Sequence, residues 1–283
     1  MSRIAYVAGQ YLVHRQAAVH IEDRGFQFAD GVYEVIAVKG GCLVDEERHL
    51  ERLRRSLGEL RIDPPMAEAA LRVVISEVVR RNGVDTGIVY LQITRGAAPR
   101  EHAFPKAATP TLVVTARRTK PLDPRLGEDG IAVITIPDIR WQRCDIKSVA
   151  LIPNVLGKQK AREAGAFEAW QVDRDGAVTE GTSTNAWIVT ADGTVVTRAA
   201  DTAILNGVTR LAILDIIRRE GYRLVERPFT VAEAKGAREA FLTSTTADLL
   251  AVVRIDGMPV GEGRPGPLAR ALRAAYRAHA AAP

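Results

Sequence analysis

Apolar positions along this chain follow two rhythms, and the changes from one to the other mark its elements. From Ile4 to Leu43 short apolar runs are broken by glycine, with Asp30-Gly31 and Gly40-Gly41 as turn signals, which predicts strands and hairpins. Leu50, Leu53, Leu57 and Leu60 then recur at helical spacing, as do Leu71, Val74, Ile75 and Val78 ahead of Gly83. Strands return over 88–94 and 111–116. The Pro-, Gly- and charge-rich stretch KPLDPRLGEDG predicts a domain boundary, giving a small N-terminal domain at 1–118, a linker at 119–129 and a larger C-terminal domain at 130–283. In that second half the strand-like IAVITI, FEAWQV, TNAWIVT and EAFLTS mix with helical patterns over 155–164, 208–219 and 268–276, and Asp256-Gly257 signals another hairpin. Without a regular βαβ alternation, the order predicts an α+β fold rather than a doubly wound sheet.

Apolar runs stop at about six residues, far short of the roughly 20 that cross a bilayer, so no membrane span is expected. The N-terminal stretch lacks the basic, apolar and small-residue regions of a secretion signal, which predicts a cytoplasmic location. Cys42 and Cys144 lie far apart without metal-ligand spacing and read as free thiols. Lys and Arg exceed Asp and Glu by 39 to 34, giving +5. Both signs alternate through EERHLERLRRSLGELR, which weakens a nucleic-acid reading and leaves a small phosphorylated or carboxylated ligand as an equal fit.

The chain has no P-loop, no HExxH, no paired-cysteine metal site and no GxSxG elbow, and no metal is expected. GEGRPG at 261–266 matches the dinucleotide fingerprint, but its prolines and the 17 residues left after it exclude a complete βαβ unit, so it reads as a loop. Scattered candidates remain: a lysine in RCDIKS, an acid in TEGTSTN, an Arg-x-His in TRGAAPREH, and hydroxyl clusters in GVTR and TSTT. Each has a plain structural explanation when taken singly. Lys147, one of only seven lysines, could be a solvated strand-edge residue; Glu180 could be a turn acid; periodicity does not separate Arg52 from Arg48 or Arg55.

In order, DGVYEV, HLERL, TRGAAPREHAFP, DIRWQRCDIKS, VTEGTSTN, ILNGVTR and TSTT resemble successive signatures of the D-amino acid aminotransferases, across nearly the whole chain. These are class IV aminotransferases, of fold type IV among pyridoxal 5'-phosphate enzymes. The resemblance implies a two-domain α+β fold with the cofactor at the domain interface, bound mainly by the larger C-terminal domain. Lys147 would carry the cofactor as a Schiff base and shuttle a proton between the substrate Cα and the cofactor. That role requires the amine, ordinarily near pKa 10.4, to lose its proton more easily. Glu180 would hold the pyridine nitrogen protonated. Arg52 would bind the phosphate, with donors from Val208, Thr209, Ser244 and Thr245, and Leu205 would pack on the ring. The TSTT positions also fit a simple strand-end turn. Tyr33, Arg100 and His102 would trap the substrate's α-carboxylate, the last two supplied by the neighbouring subunit of a homodimer. Thr182 stands where the family commonly has serine, and keeps the hydroxyl.

The expected reaction moves the amino group of a D-amino acid, of the D-alanine or D-glutamate type, to a 2-oxo acid by a ping-pong route. Branched-chain L-amino acid transaminases, R-amine transaminases and aminodeoxychorismate-lyase-like enzymes share the fold and stay open as alternatives, although branched-chain enzymes lack the Arg-x-His. A non-catalytic anion- or nucleic-acid-binding protein is the alternative from another class, motivated by the sequence pI of about 9.4.

Overall fold

The computed structural model describes residues 3–281. They form two compact units. One comprises the residues up to Lys120 together with Ile146–Ala150, and the other comprises Pro121–Asp145 together with the residues from Leu151 on. The division is therefore not a single cut near 119–129: after Asp145 the chain re-enters the first unit for five residues, and Lys147 is one of them.

The first unit is a six-stranded sheet, with β1 (Ile4–Val7), β2 (Gln10–Val13), β3 (Gly31–Lys39), β4 (Cys42–Leu43), β5 (Gly87–Thr94) and β6 (Thr111–Arg118) in the order β2-β1-β6-β5-β3-β4. All its pairings are antiparallel. Two helices, α2 (Glu46–Leu60) and α3 (Glu68–Asn82), supply the leucines and valines that pack against Val32, Ile36, Val38, Val89, Leu91 and Ile93 of the sheet. The strand period of two puts Val32, Glu34, Ile36 and Val38 on one face of β3, all buried. A carboxylate thus lies on the apolar side.

A short helix, α1 (Arg24–Phe28), falls where the apolar pattern predicts strand. Asp23 caps it by accepting from the Gly25 amide at 2.8 Å, and Ala29 closes it in the left-handed region at φ 56°. Asp30-Gly31 is correspondingly not a hairpin turn. Gly31 opens β3, and a Cβ there would meet the Ile93 carbonyl oxygen at 2.8 Å.

The second unit carries α4 (Arg125–Glu128), β7 (Ile131–Pro137), α5 (Ile152–Glu163), β8 (Glu168–Val172), β9 (Val178–Gly181), β10 (Asn185–Val189), β11 (Val195–Thr197), α6 (Val208–Arg219), β12 (Leu224–Glu226), α7 (Val231–Lys235), β13 (Glu239–Ser244), β14 (Asp248–Ile255), β15 (Met258–Pro259) and α8 (Pro267–Ala281). Its nine-stranded sheet runs β12-β11-β10-β13-β14-β7-β8-β9, with β15 on β14. β7 pairs parallel to both β14 and β8, and β11 parallel to β12, while the remaining pairs are antiparallel. This mixture is the α+β architecture that the irregular element order predicts. Asp256 and Gly257 turn β14 into β15 at φ 50° and 78°, a hairpin of the expected kind.

GEGRPG is a loop, and the structure gives the reason that no phosphate belongs there. The Glu239 carboxylate accepts from the Leu268 and Ala269 amides at 3.1 and 2.8 Å, occupying the start of α8 with the protein's own anion. A Cβ at Gly266 would fall 2.1 Å from the same carboxyl carbon.

Candidate active site

Lys147 is fixed through its backbone. Its carbonyl accepts from the Tyr33 amide at 3.0 Å, Val32 and Ser148 form an antiparallel bridge, and the Val149 amide donates to the Gly31 carbonyl at 3.1 Å. The segment thereby lies along the start of β3, and the buried Ile146 ties it into the apolar core. The side chain is half-buried, with Nζ 4.2 Å from the centre of the Tyr33 ring. Among the described residues no carboxylate forms an ion pair with this amine. Tyr33 in turn stacks on Tyr90 at 5.7 Å, and burial, together with the nearby Tyr33, pushes the Tyr90 hydroxyl up to about 12.

Arg52, on α2, meets the carboxylate that the β3 alternation buries. Its Nε donates to Glu34 Oε1 at 2.8 Å and its Nη2 to Oε2 at 2.7 Å, the bidentate pairing suited to a guanidinium. His49 Nδ1 completes the cluster 2.7 Å from Glu34 Oε2. Burial raises the Glu34 carboxyl, but the Arg52 charge and the bonds from Arg52 and His49 outweigh it and bring it down to about 2. Burial also lowers the His49 imidazole, more than Glu34 restores it, so the ring is neutral and Nδ1 is the donor.

A second cluster lies in the other unit. Glu180, on β9, is buried and accepts from three groups: Arg140 Nη1, Asn185 Nδ2 at 3.0 Å, and the Leu205 amide at 3.1 and 3.2 Å. Arg140 is shared, since its Nε and Nη2 also donate to Asp138 at 3.0 and 2.7 Å. Burial raises the Glu180 carboxyl above its ordinary value, and Arg140 does not fully offset this. Asn185 also donates to the Leu205 carbonyl at 2.9 Å, and its Oδ1 would lie 2.2 Å from a Cβ at position 207, which accounts for glycine there. Gly207 is the N-cap of α6 with no side-chain cap, so Val208 and Thr209 open a helix whose first amides point from an uncapped end, unlike those of α8.

Glu180 and Leu205 are thus brought into direct contact, with Val208 and Thr209 a few residues on. Thr209 Oγ1 lies 3.4 Å from the Tyr276 hydroxyl. Ser244 and Thr245 lie at the β13–β14 turn, where Ser244 Oγ accepts from the Ala247 amide at 3.1 Å, the turn geometry open to a Ser/Thr run. Arg100 and His102 lie in the first unit on the exposed loop after β5, both against Phe28: the Arg100 guanidinium carbon is 5.0 Å and the His102 ring 5.4 Å from its ring centre.

Motif reading leaves Glu34, His49, Arg140 and Asn185 without roles. Glu34 could have been found from its parity with Val32 and Ile36. Arg140 carries no comparable local signal for its bond to Glu180, 40 residues away, and Asn185, five residues after Glu180, has none for its bond to the Leu205 carbonyl 20 residues on. Cys42 is exposed and Cys144 buried, and neither is in a disulfide. Among the described residues there is no cluster of His, Cys, Asp and Glu suited to a metal, and no helix is long and apolar enough to cross a membrane.

The mixed two-unit α+β fold agrees with the comparisons with known proteins. Residues 31–255 match the family described as amino-transferase class IV. The chain belongs to the class IV aminotransferases and is an enzyme of that family. It is 43% identical over 270 residues to the D-alanine aminotransferase of Bacillus licheniformis, covering 95% of this chain and 94% of that one. A branched-chain amino acid aminotransferase from T.th., solved with pyridoxamine 5'-phosphate, superposes with a TM-score of 0.90 at 26% identity, over 100% of this chain and 96% of that one. The branched-chain amino acid aminotransferase of Escherichia coli shares the fold, with a TM-score of 0.91 at 22% identity over 98% and 94% of the two chains.

Proposed function

We propose that this chain is a pyridoxal 5'-phosphate-dependent transaminase acting on D-amino acids of the D-alanine or D-glutamate type, with a 2-oxo acid as acceptor. The observation that carries the reading is Lys147: backbone-anchored, half-buried, its amine against an aromatic ring and without a carboxylate partner among the described residues. A surface lysine kept for an ion pair would not be built this way. The D-alanine aminotransferase relatives support the choice of substrate.

The residues present fit the cofactor. Glu180 is a buried carboxyl raised above its ordinary value although an arginine touches it, so a further positive charge at its oxygens would be stabilising. A protonated pyridine nitrogen is such a charge. The uncapped start of α6 suits a phosphate, with Val208 and Thr209 as donors and Ser244 and Thr245 as weaker candidates. Arg52 is assigned to the same phosphate, its guanidinium oriented by Glu34, and Leu205 to the ring face.

Pyridoxal phosphate supplies an electron sink that makes the substrate's α-proton removable. Lys147 would take that proton from the substrate's Cα and deliver it to the cofactor's C4′ carbon. Glu180 keeps the ring nitrogen charged, and Arg140 and Asn185 keep Glu180 in place. Tyr33, Arg100 and His102 bind the α-carboxylate, the arginine through paired donors. Arg100 and His102 serve the neighbouring subunit of a homodimer, and the enzyme is cytoplasmic.

The test is an absorbance spectrum of the purified enzyme with D-alanine or L-leucine added separately. Loss of the visible band with D-alanine and not with L-leucine supports the reading. Loss with L-leucine alone keeps Lys147 but withdraws the role of Arg100 and His102 in favour of the branched-chain alternative. A protein that stays colourless after pyridoxal phosphate is added overturns the proposal.

A further inference from the structure

The loop bearing Arg100 and His102 is exposed, which is a poor foundation for a group that must sit within fractions of an ångström of a carboxylate. Its anchorage lies in three charged residues. Arg24 and Arg95 are nearly fully buried, at 3% and 8% exposure, and both grip one carboxylate. Arg24 Nε donates to Asp30 Oδ2 at 2.8 Å, and Arg95 donates through Nε to Oδ2 at 2.7 Å and through Nη2 to Oδ1 at 3.0 Å. Each arginine turns its remaining donors to backbone. Arg95 reaches the carbonyls at the end of α2, Leu60 at 2.8 Å and Arg61 at 2.9 Å. Arg24 reaches the loop, with Nη1 donating to the Glu101 carbonyl at 2.5 Å and Nη2 to the His102 carbonyl at 3.3 Å. Phe28 lies under Arg24, Arg100 and His102 alike, and Phe104 lies against Arg95 at 3.7 Å.

From this arrangement we propose that Arg24 is a positioning residue for substrate recognition: held by Asp30, it fixes the backbone on both sides of the Glu101–His102 peptide and so sets where Arg100 and His102 present themselves to the α-carboxylate. A buried guanidinium can span Asp30 and two carbonyls because its five donors form a rigid fork, whereas an ammonium cannot reach all three. Asp30 stays ionised in this setting: burial would raise its carboxyl, but the two arginines lower it below its ordinary value. The inference rests on the substrate-trap role assigned above to Arg100 and His102.

Arg24→Met and Arg24→Lys are compared with Arg100→Leu in the cofactor-loaded enzyme, following the rate of band loss against D-alanine concentration. Arg24→Met is expected to raise the half-saturating concentration at least tenfold while changing the limiting rate less than threefold. Combining it with Arg100→Leu should add little to the effect of Arg100→Leu alone, because both act through one contact. Amide hydrogen exchange over residues 97–105 should quicken at least tenfold in Arg24→Met. If methionine at 24 prevents folding, Arg24→Lys, which keeps a cation facing Asp30, carries the same expectations at a smaller size. A raised half-saturation in Arg100→Leu with none in either Arg24 variant, or unchanged exchange in the loop, overturns the inference about Arg24. An unchanged half-saturation in Arg100→Leu overturns the trap reading itself, and the exchange measurement then still decides whether Arg24 holds the loop.

Discussion

Two carboxylates in this molecule are both buried and both touch an arginine, yet their affinities for a proton move in opposite directions. Glu34 has a guanidinium bonded to both its oxygens and a histidine donor besides, and falls to about 2. Glu180 has an arginine that turns two of its donors to Asp138, and its remaining donors are an amide side chain and a backbone N–H, so burial wins and it rises. The lesson is that an arginine neighbour does not set the charge state of a buried acid. The share of that arginine's charge does. Glu34 is a closed pair whose work is to hold Arg52, whereas Glu180 has capacity left for another cation.

Lys147→Ala would give the largest change. It should remove the visible band shift that marks lysine attachment and slow the half-reaction by about 10²–10⁴-fold or more, read in a stopped-flow spectrophotometer. Glu180→Gln comes next: it keeps the shape and removes the charge, and should slow the same step by about 10²–10³-fold, with the protein still loading cofactor. A fall of less than about threefold would break the contrast, since Glu180 would then be as closed a pair as Glu34.

Glu34→Gln should act on stability first, costing about 3–5 kcal/mol in urea titration because it removes the buried carboxylate of a bidentate ion pair. The pH dependence has a fixed sign. A carboxyl lowered from 4.5 to about 2 on folding contributes stability that is fully present above 4.5 and is lost as pH falls toward 2. The acid limb between pH 4.5 and 2 should therefore be shallower in Glu34→Gln. Glu180 has the opposite sign: its raised carboxyl, when ionised at neutral pH, works against folding of the cofactor-free protein. Glu180→Gln should accordingly raise Tm there by about 2–4 °C per kcal/mol of relief, the smallest of the four effects, measured by calorimetry.

Much of the frame is legible in the chain. Leucine spacing finds α2, the glycine after Asn82 ends α3, and Asp256-Gly257 marks the hairpin between β14 and β15. Lys147, Glu180 and the Arg-x-His are visible as motifs. The braces are not. Arg140 meets Glu180 across 40 residues and Arg24 meets Glu101 across 77, contacts that no local pattern records. The helix α1 was hidden because its signal is one capping aspartate ahead of an apolar run that also fits a strand. The re-entry of 146–150 into the first unit was hidden because its pairing is through backbone, which has no residue type.

That re-entry bears on how the protein can be made. A ribosome releases every strand of the first unit's sheet by Arg118, but Ile146 and the strap along β3 emerge only after the whole of Pro121–Asp145. The unit that translation reaches first is therefore still incomplete when its last sheet strand emerges, and it must wait, with the start of β3 unpaired on one side, for Ile146–Ala150. A gene divided after codon 120 separates Lys147 from the unit it belongs to, whereas one divided after codon 150 keeps them on one fragment.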